Sequence, residues 1–174
     1  YNVGAPPPDT LPCSGPATAP IDPGGPVVPA AFTLDDDALG DSRGDADGVA
    51  ECGQVVEAFT GLTNQGLAVI APGDLDLGFG TQGLALTGVS ATLTSADPYV
   101  TVLWNTASGY PDLAAGATAD NAADWDLGLA AGTPNGHTAL LGLHVVAANG
   151  GPWDLQVALP IACATPLEGV LAAP

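Results

Sequence analysis

Seven of the chain's nineteen carboxylates fall between positions 35 and 51, in the stretch DDDALGDSRGDADGVAEC, which also carries the only basic residue, Arg43. Oxygen-rich, glycine-punctuated loops suit calcium, which takes six to eight oxygens at about 2.3–2.6 Å from carboxylates and carbonyls. Asp41, Asp45 and Asp47 stand at spacings that let their carboxylates converge, and Asp35, Asp36, Asp37 and Glu51 flank them. An EF-hand register would need ligands at positions 43, 45 and 47 with Gly48 at the turn. Arg43 breaks that register, because a guanidinium has no acceptor to offer a cation. Two readings stand: a calcium loop of another kind, which is the expectation, or a solvated acidic loop with Arg43 as its internal counter-charge. The first is preferred because so many like charges repel strongly unless an ion screens them.

Other residues offer less chemistry. Asp120, Asp124 and Asp126 in ATADNAADWD form a second possible metal cluster, but they and Asp112 read first as turn residues, since Asp caps turns through its own backbone. His137 and His144 are an odd number of positions apart on what reads as one strand, so they face opposite ways and share no site. No serine lies in a GxSxG setting and no lysine exists to act as a base, so no catalytic residue is expected. Trp125 and Trp153 open strands with inward alternation and read as core anchors, whereas Trp104 is left open as a sugar-stacking candidate. Of three cysteines, Cys52 with Cys163 would fasten the domain and leave Cys13 to reach a neighbour; the spacing equally permits the other two pairings.

The net charge of −18 arises from missing cations more than from surplus acids, since Lys+Arg total 1. Nucleic acid and anionic membranes are held by clustered Lys and Arg, so both are excluded as partners, while divalent cations are favoured. No apolar run reaches the roughly 18 residues that a membrane span needs. The start at Tyr1, the absence of Met and the cysteine use fit a mature exported protein, extracellular or at the cell surface, whose signal peptide has been removed.

These residues must be carried by short elements, because Gly 24 and Pro 17 favour turns and brief strands. Residues 1–30 hold nine of the prolines and read as an extended polyproline-like arm reaching roughly 3 Å per residue. Such an arm is expected to lie against its own domain or a neighbouring subunit, and its Thr, Ser and Pro residues are candidates for a glycan. From AAFTL onward the pattern is strand, turn, strand: QVVEAFTGL, LAVIAPGDLDLGF, GVSATLTS, YVTVLW, WDLGLA, HTALLGLHVVAA as the longest, and WDLQVALPIA. Period-two alternation with turns every eight to twelve residues predicts an all-β antiparallel sandwich over 31–163, followed by a tail, 164–174.

The order of DDDALGDSRGDADGVAECGQVVEAFTGLTNQG, LTGVSATLTSADPYVTVL, YPDLAAGATADN, GTPNGHTALLGLHV and NGGPWDLQVALPI resembles the Ig-like β-sandwich domains of secreted bacterial surface proteins and peptidases. These are relatives of the cell-adhesion-related bacterial domain. The resemblance covers about residues 31–163 and implies an Ig-like sandwich whose acidic stretch binds calcium ahead of a Pro-Gly-Glu turn. Here the turn reads Glu51-Cys52-Gly53-Gln54, so Cys stands for the proline and Gln for the glutamate. The segment from about Leu67 to Gly83 reads as an insertion.

Two functions fit. One is a structural subunit of an extracellular filament, sheath or surface layer, a homopolymer in which the arm or first strand of one copy joins an open sheet edge of the next, stiffened by calcium. Such head-to-tail contacts propagate a fibre. The other is an adhesion or carbohydrate-binding accessory domain of a larger secreted protein.

Overall fold

The computed structural model describes residues 26–66 and 85–163. The expected arm up to residue 25, Cys13 within it, the whole LAVIAPGDLDLGF segment and the tail lie outside the described residues. Nine strands follow in order: β1 (Val27–Asp35), β2 (Val55–Asn64), β3 (Ser90–Ser95), β4 (Val100–Trp104), β5 (Ala107–Gly109), β6 (Thr118–Asp120), β7 (Trp125–Leu129), β8 (Thr138–Ala147) and β9 (Gly150–Pro160). They form two antiparallel sheets, one ordered β1-β2-β7-β4 with β6 also on β2, the other β5-β3-β8-β9. The all-β sandwich is therefore observed, and no helix occurs among the described residues.

The alternation that announced these strands fills the core. Val56, Ala58 and Leu62 of β2 and Trp125, Leu127 and Leu129 of β7 point inward from one sheet. They meet Ala91 and Leu93 of β3, Ala139, Leu141, Leu143 and Val145 of β8, and Val157 and Leu159 of β9 in one apolar cluster. Trp125 is fully buried and Trp153 packs at the cluster's edge, whereas Trp104 is 56 % exposed. β1 starts at Val27, inside the segment read as arm. Its Pro29 withholds an amide hydrogen, which an edge strand tolerates, and the ladder shifts register between Pro29 and Phe32. The longest strand is β9, one residue longer than β8, not β8 as expected.

β2 pairs with β7 over Val55–Ala58 and with β6 over Gly61–Thr63, so its partner changes at Thr60. Two side chains fill the gap in the ladder. Thr60 N–H donates to Asn121 Oδ1 at 2.7 Å, and Tyr110 O–H donates to the Thr60 carbonyl at 3.1 Å. Burial, with some help from the Asp120 charge, pushes the Tyr110 phenol well above its ordinary range, so it stays a donor.

Beyond β9 the chain returns to the start of β2. Glu51 and Ala162 form a parallel bridge, and a disulfide joins Cys52 to Cys163 with their Cα atoms 5.1 Å apart. The preferred cysteine pairing is thus the one formed.

Candidate metal centres

The loop between β1 and β2 is organised by Asp36. Its carboxylate is only 2 % exposed and accepts the N–H of Gly48 at 2.9 Å and of Asp47 at 3.3 Å. Burial alone would push this carboxyl up; the N–H donors of Gly48 and Asp47, joined by those of Asp36 and Asp45, outweigh burial and hold it below its ordinary value. The return of the loop needs Gly44, where a Cβ would collide with the Asp36 carbonyl oxygen. Ser42, fully buried, ties the first half down by donating to the carbonyls of Asp37 at 2.8 Å and Leu39 at 2.9 Å.

This fold brings ligand oxygens of Asp36, Asp45 and Asp47 within 4.8 Å of one another. Among the described residues only the N–H groups of Gly48 and Asp47 stand at hydrogen-bond distance from the Asp36 carboxylate, which offers about four acceptor sites. Glu51 lies outside the group but feels it: its carboxyl is raised above its ordinary value by desolvation first and then by the charges of Asp45, Asp47 and Asp36. Glu51 and Gln54 bond reciprocally, Gln54 Nε2 to Glu51 Oε2 and Glu51 N to Gln54 Oε1, both at 3.0 Å. Gln54 therefore closes the turn.

The remaining expected ligands are placed elsewhere. Asp35 and Asp37 accept N–H groups of Asp37 and Leu39 in tight turns. Asp41 faces a different neighbour, its N–H donating to Glu57 Oε1 at 2.9 Å. Arg43 is held within the loop: its backbone bridges to Val55, and its guanidinium donates to the carbonyls of Gly40 and Ser42. Among the described residues no carboxylate pairs with it.

A second group takes Asp124 and Asp126 from the possible cluster in ATADNAADWD and adds Glu57, which the sequence did not point to. Glu57 on β2, Asp126 on β7 and Asp124 just ahead of β7 also place ligand oxygens within 4.8 Å. Glu57 and Asp126 are directly opposite in the β2–β7 register, and Asp35 is opposite Glu57 on β1. Asp126 is fully buried; Oδ2 accepts from Asn105 Nδ2 at 3.3 Å, and Oδ1 has no partner among the described residues. Burial first, then the charges of Asp124, Asp41 and Glu57, push its carboxyl above its ordinary value. Asp120, grouped with Asp124 and Asp126 in the sequence, sits apart on β6, and the Asp112 carboxylate accepts the Gly88 N–H at 3.2 Å.

The histidines are each engaged. His137 precedes β8 and meets Asp97 at 2.8 Å, and His144 on β8 meets Asp154 at 2.7 Å. No helix among the described residues is long and apolar enough to cross a membrane. No protein-family model matches the chain, and a search of curated proteins gives no significant match.

Proposed function

We propose that the chain is a calcium-stiffened, Ig-like β-sandwich subunit of an extracellular assembly. The observation that carries this reading is the group of Asp36, Asp45 and Asp47, folded at the foot of β1 with no ion pair to any of the three among the described residues. A cation there would lock the loop joining β1 to the rest of the sandwich. β1 and β9 lie close to each other, while β4 and β5 at the opposite ends of the two sheets each have one strand partner among the described residues and leave an edge to which a strand of another copy can add. The disulfide fits an oxidising compartment.

Size-exclusion chromatography and electron microscopy, with calcium and after chelation, test the reading. Calcium-dependent polymers are expected, and a monodisperse monomer indifferent to chelation would overturn it. Trp104, the exposed cross-strand neighbour of Asp126, favours a second reading as a carbohydrate-binding accessory module, in which sugar rings stack on its face. Glycan binding by a monomer, lost in Trp104→Ala, selects that alternative.

A further inference from the structure

We propose that Glu57, Asp124 and Asp126 form a second cation site on the outer face of the β1-β2-β7-β4 sheet, occupied by a hard divalent cation, calcium. The site is separate from the loop group and stands whether or not the chain polymerises.

Register supplies the first argument. Glu57 and Asp126 face each other across an antiparallel pair with Asp35 next in the row, so three acids line adjacent strands. Like charges directly opposite destabilise a sheet. Burial supplies the second and independent argument. The Asp126 carboxylate is withdrawn from water, yet Oδ1 has no partner among the described residues. A buried ion with a free lone pair is costly unless something neutralises it.

Protein cations are accounted for elsewhere. Arg43 is held by backbone carbonyls, and the two histidines sit on Asp97 and Asp154. A small ion fits what remains. Oxygens on opposite sides of a cation bound at about 2.4 Å are about 4.8 Å apart, so three oxygens within 4.8 Å can share one. The loop also seats itself against the site. Gly40, at a φ of 59°, carries no Cβ where one would stand 2.7 Å from Glu57 Oε1, and the next amide, Asp41 N–H, donates to that oxygen. Glu57 is thereby oriented, and Asp41 adds negative charge near Asp126.

Calcium chloride titrated into the full chain, followed by calorimetry and by native mass spectrometry, tests the site. The wild-type chain is expected to bind two ions. Asp126→Asn loses one of them and keeps the other, while the Asp45→Asn/Asp47→Asn pair shows the reverse, so failure of one site is distinguishable from failure of the other. Thermal melting gives a second readout. In chelator, D126N melts at or above the wild type because an unpaired charge is gone. At calcium a hundredfold above the dissociation constant the wild type gains roughly 5–10 °C from this site, and D126N does not. If D126N binds as many ions as the wild type, or outlasts it in calcium as well as in chelator, a proton neutralises Asp126 and the proposal is overturned. Should D126N fail to fold, Asp124→Asn, at the half-buried ligand, is read by ion count in the same way.

Discussion

The loop group and the sheet-face group use the same residue types yet solve opposite problems. In the loop group the one buried carboxylate, Asp36, is satisfied by backbone N–H groups, so the loop is shaped before any ion arrives. In the sheet-face group the buried carboxylate, Asp126, retains an unpartnered oxygen among the described residues. Carboxylate density is therefore a poor guide to where a cation is most needed. The dense, exposed loop can wait in water for its ion, whereas the sparse trio, with Asp126 buried between two half-buried acids, bears the larger penalty for an uncompensated charge.

Removing the covalent exit of the loop should separate the two groups most forcibly. The Cys52→Ser/Cys163→Ser pair frees a closure of 111 residues and is expected to cost about 4–5 kcal/mol in urea unfolding. It should weaken calcium binding at the loop group, whose chain leads into Cys52, and spare the sheet-face group. A loss below about 1 kcal/mol would mean that the Glu51–Ala162 bridge alone fixes the exit.

Next in size is Asp36→Ala. It strands the N–H groups of Asp47 and Gly48 and should cost about 2–3 kcal/mol even in chelator. Asp45→Asn, at an exposed ligand, should then stay within about 0.5 kcal/mol of the wild type. Equal losses for both variants would show that the loop depends on its ion and not on Asp36.

A carboxylate remote from either group provides the control. Burial would raise Asp97, but the Tyr99 N–H, the hydrogen bond with His137 and the His137 charge prevail, and its carboxyl lies below the ordinary value of 3.8. The folded form therefore holds this proton more weakly than the unfolded chain does. Its contribution is present above pH 3.8 and is lost as the pH falls through the folded value. Asp97→Asn should cost about 1–3 kcal/mol at neutral pH, with the difference from wild type shrinking in acid and unmoved by calcium. A calcium-sensitive difference would mean that the two groups do not account for the metal response.

Trp104→Ala should change stability least, by about 0.5 kcal/mol, because the ring is mostly in water. A larger loss, confined to calcium, would show that the indole shields the sheet-face ion.

Much of the sandwich was legible because period two survives in every long strand, from Val56, Ala58 and Leu62 to Val157 and Leu159. The start of β1 was hidden by Pro29, which reads as a strand breaker until the strand is known to be an edge. β5 and β6, at three residues each, are too short to show a period. The loop group was half legible. Asp45 and Asp47 are neighbours in the sequence, but Asp36 joins them only because the chain doubles back at Gly44. Of the sheet-face group the sequence offered Asp124 and Asp126 but not Glu57, which meets Asp126 only through a register that no local spacing encodes. A further signal was Asp126 within the alternation of an otherwise apolar strand.

The Cys52–Cys163 bond also decides how the chain would bear tension. A pull between Val27 and Cys163 passes across the sulfurs to Cys52 and bypasses everything between, about 370–400 Å of extended chain that stays hidden. The load falls on β1 and the acidic loop. Val27 lies at the Asn64 end of the β1–β2 ladder and Asp35 at the Glu57 end, nearer Cys52, so the pull shears the ladder and loads its hydrogen bonds together. Once β1 yields, only the loop can extend, and an ion shared by Asp36, Asp45 and Asp47 would be the clasp that limits how far it opens.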